Sequence, residues 1–160
     1  MAVRPATAAD ADALWAILKP AIRAGETYAL DRDMTREQAL AYWCGTDKQT
    51  FVFEEADGVL GTYYLRANQA GGGGHVCNCG YMTAPHATGK GVAWQMCADS
   101  LDRARAQGFH AMQFNFVVST NTRAVALWQC FGFAEVGRLP LAFDHPAHGF
   151  VDALVLHRPL

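Results

Sequence analysis

Charge is sparse in this sequence: Asp, Glu, Lys and Arg make up 18% of 160 residues, against 51% hydrophobic residues, and the formal net charge is -2. That much apolar material offsets the entropy of ordering one compact chain, which excludes long-range disorder. The scattered Lys and Arg residues form no basic stripe, so neither nucleic acid nor a membrane surface is an expected partner. Long hydrophobic runs are also missing. No stretch nears the roughly 18 apolar residues of a spanning helix, and Met1-Ala2-Val3-Arg4-Pro5 lacks the blocks of a signal peptide, so the cytoplasm is the expected compartment. The five cysteines are odd in number and without framework spacing, which argues against a disulfide scaffold. Cys77-Asn78-Cys79 puts two sulfurs on one strand face with no second Cys or His pair at finger spacing, and no metal is expected there. The nucleotide-loop patterns G-x-x-x-x-G-K-[ST] and G-x-G-x-x-G are both absent.

What is present reads as a single domain over residues 1–160. Thr7-Ala8-Ala9-Asp10 has capping-box form before Ala11, Leu14, Trp15, Leu18 and Ile22, which predicts a helix ending near Ala24. Thr35-Arg36-Glu37-Gln38 repeats that signal before a second helix, and the linker between the two holds Glu26, Thr27 and Tyr28. Thr50 to Ala67 reads as two strands around Asp57-Gly58, and His75 to Thr83 as another. A long helical pattern from Ala93 follows, then a strand over Ala111 to Val118, a helix over Asn121 to Phe131, and strands over Ala134 to Pro140 and Gly149 to His157. The mixed order predicts an α/β fold with one central sheet.

Tyr81-Met82-Thr83-Ala84-Pro85-His86-Ala87-Thr88-Gly89-Lys90-Gly91-Val92-Ala93 leads from a strand through glycines into a helix. Gly89 and Gly91 permit positive φ and close backbone approach, and the unpaired N–H groups of the following helix favour a diphosphate. Glycines before a helix are by themselves as compatible with an ordinary turn. Lys90 adds charge there or is solvated surface.

His86-Ala87-Thr88-Gly89-Lys90-Gly91 resembles the pyrophosphate motif of GNAT acetyltransferases: Arg or Gln, two residues, Gly, one residue, Gly or Ala. His86 departs from it at the Arg/Gln position. A second block, Asn121 to Phe133, resembles N-x-x-A-x-x-x-Y-x-x-x-G-F, with Trp128 in place of the Tyr. The resemblance spans roughly Phe51 to Leu160 and implies the GNAT fold, a mixed sheet of about six to seven strands flanked by about four helices. It also implies acetyl-CoA as cosubstrate, bound by Tyr81, Met82, Thr83, His86, Gly89, Lys90, Gly91, Val92, Ala93, Asn121 and Trp128. The backbone of Tyr81, Met82 and Thr83 would carry the pantetheine. Met82, as a backbone N–H polarising the thioester carbonyl, and Asn121 are the expected catalytic positions. An indole is no practical general acid, so Trp128 reads mainly as packing.

Asn78, Tyr81, Asn115 and Asn121 with Gly149-Phe150-Val151-Asp152-Ala153 resemble the fungal azetidine-2-carboxylate and proline-analogue acetyltransferases. The Thr-bearing linker resembles that of phosphinothricin-type enzymes. Both point to the amine of a small amino acid or analogue, with Asn78, Asn115, Glu26 and Tyr28 as acceptor-binding positions. Asn78 and Asn115 are also compatible with buried amides bonded to neighbouring backbone and Asn121 with a helix cap, while an exposed loop Glu such as Glu26 more often serves solubility. The rival readings are a noncatalytic acyl-CoA-binding regulatory module and a protein or peptide N-acetyltransferase. The acceptor, the proton-transfer groups and association as a homodimer are left open.

Overall fold

The computed structural model describes residues 2–160. Seven strands form one sheet in the order β1-β2-β3-β4-β5-β7-β6: β1 Ala2–Pro5, β2 Gln49–Glu55, β3 Gly58–Ala67, β4 Val76–Thr83, β5 Ala111–Val118, β6 Ala134–His145 and β7 Gly149–Pro159. Four α-helices accompany it: α1 Ala11–Ala24, α2 Arg36–Trp43, α3 Val92–Ala106 and α4 Thr122–Cys130. The helices fall where apolar spacing and capping place them. The Thr35 hydroxyl accepts from the Gln38 N–H while the Thr35 N–H donates to Gln38 Oε1, and Gly25, in the left-handed region at φ 63°, ends α1.

Alternation along β3 assigns the helices to opposite faces of the sheet. Thr62 accepts from the Trp43 indole of α2 and donates to the Phe51 carbonyl, and Tyr64 lies edge-on to Trp43. Tyr63, on the other face, bonds Asp99 of α3 and stacks on Phe51. Gly61 sits under α3 so closely that a Cβ there would meet Val92 Cγ1 at 2.7 Å and the Met96 thioether at 2.9 Å. A side chain at position 61 would push the helix off the sheet.

Two elements differ from the sequence reading. β1 was not expected, because four residues ending in proline carry no readable alternation; it forms by pairing Ala2 to Pro5 against Glu54 to Phe51 at the sheet edge. β6 runs past Pro140 to His145, since Leu141 at φ 50° and a register shift let the chain re-pair at Phe143 with Val151.

Arg4 of β1 is fixed by Asp10, whose carboxylate accepts from both Nη groups at 2.9 and 2.8 Å and from the Thr7 N–H at 2.7 Å. Asp10 is buried, and the Arg4 hydrogen bonds hold its carboxyl well below the usual carboxylate range. A depressed folded pKa gives stability that is present above the unfolded value of about 4 and lost as pH falls through the folded value. Asp10→Asn should therefore cost on the order of 2 kcal/mol at neutral pH and flatten the acid limb of the stability profile, as read by urea unfolding from pH 7 downward.

Candidate active site

β4 and β5 are parallel and register only at Val76 with Ala111 and Cys77 with Met112. The next link is a side chain: Asn78 donates from Nδ2 to the Gln113 carbonyl at 2.9 Å. Beyond it the strands part, while β4 stays paired to β3 as far as Thr83 and β5 stays paired to β7 as far as Val118.

Antiparallel alternation decides which β4 peptides face this opening. The Val76 carbonyl accepts from Asn68 at one end of the β3–β4 ladder, and the Ala84 N–H donates to Leu60 at the other, so even-numbered β4 residues spend their peptide groups on β3. Odd-numbered ones face β5. Accordingly the Tyr81 N–H donates to the Tyr28 hydroxyl at 2.8 Å, and that hydroxyl donates to the Tyr81 carbonyl at 2.8 Å. This corrects the expectation for Met82, whose N–H belongs to the β3 ladder; the donor in the opening is Tyr81, one residue earlier, and its side chain lies elsewhere, bonded to Ser100.

A cavity of about 260 Å³ fills the opening. The α1–α2 linker lines it through Thr27 to Leu30 and α2 through Tyr42, with Tyr64 and Arg66 of β3, Asn78 to Tyr81 of β4, Phe114 to Val118 of β5, Asn121, and Ala124 and Trp128 of α4. Tyr28, Asn78, Tyr81, Asn115, Asn121 and Trp128 are thus brought together. Glu26 is exposed and does not line the cavity, because the linker turns Thr27 and Tyr28 inward instead. Asn115 is exposed, not a buried amide: it donates to Asn68 at 2.6 Å and accepts from Gln113 at 3.0 Å. Asn121 precedes α4 but makes no side-chain cap bond, which removes the capping account of that residue. Trp128 is buried and packs on Tyr81 and Phe114, as its amphipathic character suggests.

The glycine loop leads into α3. Gly89 and Gly91 adopt φ 83° and 79°, and a Cβ on Gly91 would meet nothing within 4 Å. The first α3 bond at this end runs from the Gln95 N–H to the Gly91 carbonyl, which leaves the N–H groups of Val92 and Ala93 without intrahelical acceptors. The Lys90 N–H is already bonded to Ala87, so only its exposed side chain is available. His86 is exposed as well. A cation that the motif reading passed over stands beside the loop: Arg123 of α4 places Nη2 3.8 Å from where a Gly89 Cβ would lie. Its only sequence signal is its place two residues after Asn121.

Burial pushes the Cys77 thiol up to about 12 and the Cys79 thiol well above its usual value, so neither is a thiolate nucleophile. Burial likewise raises the Tyr28 phenol, which remains a neutral donor and acceptor. Among the described residues, no group of three or more His, Cys, Asp or Glu side chains is placed to hold a metal ion.

The chain matches the family model described as the acetyltransferase (GNAT) family over residues 12–133. It is similar to a GCN5-related N-acetyltransferase from Kribbella flavida, with 45% identity, a TM-score of 0.94 and coverage of 99% of this chain and 97% of that one. N-acetyltransferase aca1 of Schizosaccharomyces pombe is 28% identical over 151 residues, 84% of this chain and 72% of the yeast protein. A phosphinothricin acetyltransferase from Sinorhizobium meliloti, solved with AcCoA, shares the fold at 23% identity and a TM-score of 0.85, over 99% of this chain and 88% of that one.

Tyr28→Phe removes one hydroxyl that serves two peptide groups. Replacement should cost about 1–3 kcal/mol and strip the Tyr81 amide of its protection against hydrogen exchange, while protection of Met82 in the β3 ladder persists. Unchanged exchange at Tyr81 would show that the hydroxyl does not hold this peptide in solution.

Proposed function

The chain belongs to the GNAT acetyltransferase family, and from that premise we propose that it transfers the acetyl group of acetyl-CoA directly to the amine of a small molecule, an amino acid or amino-acid analogue. One observation carries the reading: a single small cavity joins the cleft-facing Tyr81 peptide to the amides of Asn78 and Asn115. An acceptor held by those amides meets the β4 peptide edge inside one enclosure, which is the positioning that direct transfer requires.

The residues present fit acetyl-CoA. Positive φ at Gly89 and Gly91, the space over Gly91, the α3 amides of Val92 and Ala93, and Arg123 together form an anion cradle for its diphosphate. Arg123 supplies the guanidinium that the loop lacks where His86 stands. The odd-numbered peptides of β4, Tyr81 and Thr83, offer the pantetheine a strand edge. Bound there, acetyl-CoA supplies an acetyl group activated as a thioester.

The chain's own residues do the rest. Rotation of the Tyr28 phenol off Tyr81 presents the Tyr81 N–H to negative charge developing on oxygen. Asn121, unencumbered by capping, provides an amide at the α4 side of the cavity. Among the described residues no Asp or Glu lines the cavity, so the acceptor amine enters deprotonated; as its nitrogen bonds the acetyl carbon the thioester C–S bond breaks, and the proton lost by nitrogen passes through water to the departing CoA thiolate. The aromatic walls from Tyr28, Phe114 and Trp128 exclude bulk solvent during attack.

Release of free thiol from acetyl-CoA, screened across amino acids, proline analogues and simple amines, tests the reading. Gly91→Glu, which puts a carboxylate in the cradle, should weaken CoA binding at least about tenfold in calorimetry and suppress turnover with it. CoA binding with no thiol release for any amine would reduce the protein to an acyl-CoA-binding module. Trp128→Phe, by contrast, should keep kcat within about tenfold of wild type, since indole does not titrate usefully. A loss above about a hundredfold in a folded variant would give Trp128 a direct part in the chemistry.

A further inference from the structure

The cavity has an uneven charge inventory. Among the described residues Arg66 of β3 is the one of formal charge that lines it, and neither Asp nor Glu does. Arg66 stands directly opposite Asn78 in the β3–β4 register, on the face that also carries Tyr64. Directly opposed residues share a face and have Cβ atoms about 5 Å apart. Its guanidinium is incompletely partnered: Nε is enclosed with no acceptor, and the contact from Nη1 to Asp47 is long at 3.4 Å. Asp47 is itself committed at 3.0 Å to the Lys48 ammonium. A strand-borne arginine with an orphaned buried donor is costly to keep, and the cost is recovered when a carboxylate takes the Nε edge of the fork in bidentate fashion.

We propose that Arg66 is the anchor for a carboxylate on the acceptor, which makes the substrate class α-amino acids and their close analogues, not amines at large; this rests on acetyl transfer to a small amine in this cavity. The loose Asp47 contact leaves the guanidinium plane able to turn toward an entering carboxylate. Asn78 then receives the other end of the molecule. One Nδ2 hydrogen is spent on Gln113, and Oδ1 is the acceptor that remains for an amine N–H. Carboxylate on Arg66 and amine at Asn78 match the short separation of the two groups in an α-amino acid. They orient the nitrogen toward the Tyr81 peptide.

The test uses matched pairs, L-proline with L-prolinamide and L-alanine with L-alaninamide, and the variants Arg66→Met and Arg66→Lys, each checked for folding by circular dichroism. Wild type should prefer the acid of each pair. Arg66→Met should lower kcat/KM for the acid about ten- to a hundredfold, chiefly through KM, with the amide and the acetyl-CoA KM moved less than about twofold. Arg66→Lys should restore part of the loss, since a point charge replaces the fork. Equal losses for acid and amide would assign Arg66 to the framework, and equal wild-type rates on both would remove the carboxylate altogether; either overturns the proposal. A second readout separates it from the transfer reading: with CoA saturating, the acid should raise the Tm of wild type and not that of Arg66→Met. If no thiol is released by any amine but this difference in Tm stands, acetyl transfer fails and the anchor survives. No shift in either protein sinks the anchor.

Discussion

Parallel strands hold one another through evenly spaced bonds, and interrupting such a ladder in mid-sheet leaves every peptide on both new edges in need of a partner. That is the situation created where β4 and β5 separate after Cys77 and Met112. The split is sustained because each strand remains tied on its outer side, β4 to β3 along its whole length and β5 to β7 through Val118. A register shift between Phe114 and Val117 lets β5 bend away without surrendering that second ladder. The opening is therefore bounded by two well-supported half-sheets, and groups on its edges are held in place before any ligand arrives. Tyr28 and Asn78 satisfy peptide groups there in the absence of a neighbouring strand, which is why both sit at the centre of the site.

Close approach of helices to this divided sheet depends on two missing side chains. Gly61 admits Val92 and Met96, which fixes the start of α3 against β3 and so the height of the glycine loop over the β4 edge. Gly80 does the same on the other face, where a Cβ would strike the Tyr64 ring at 2.7 Å. Tyr64 thereby lies across β4, edge-on to Trp43 and Tyr42, and forms a wall of the cavity with Tyr42. Lys48 rests over the Tyr42 and Tyr64 rings at 4.8 and 5.6 Å, so its charge is absorbed by the outer side of the wall and not by the cavity. Burial keeps the Tyr28 phenol and the Cys79 thiol of the lining neutral, so among the described residues Arg66 is the one side chain of formal charge at the cavity.

Much of this was legible before any coordinates. Helix boundaries followed from capping boxes and apolar period at Thr7, Thr35 and Gly25, and β5 from the alternation of Ala111 to Val118, because local rules and tertiary packing agree there. The glycine loop is legible as chemistry only through its motif, His86 to Gly91, since glycines before a helix serve ordinary turns as often. What escaped was decided by pairing. Whether Tyr81 or Met82 offers its N–H to the cleft is a question of strand parity, fixed by the β3 register, and a one-residue slip reverses the answer. Arg66 carries no signal in the sequence; its place opposite Asn78 and beside the β4–β5 opening is fixed only by the strand register. Glu26 lies outside the cavity lining for the complementary reason: a linker's turn, not its composition, decides which of three consecutive residues faces inward.

Asn121 shows how a local rule can be given up for a site. An asparagine before a helix ordinarily accepts from the N2 or N3 amide, and omitting that bond forgoes about 1 kcal/mol. Here the residue sits at φ -79° and ψ 62°, with its N–H bonded to Val118 and its carbonyl accepting from Val125, and its amide is left for the cavity. α4 tolerates the loss because Trp128, one face further along, is buried against Tyr81, Phe114 and Phe133. The same tryptophan that fills the usual tyrosine position therefore anchors the helix whose preceding residue, Asn121, lines the cavity. Packing at one end of a nine-residue helix offsets an unmade cap at the other, which is a reason for a large, non-titrating side chain to stand there.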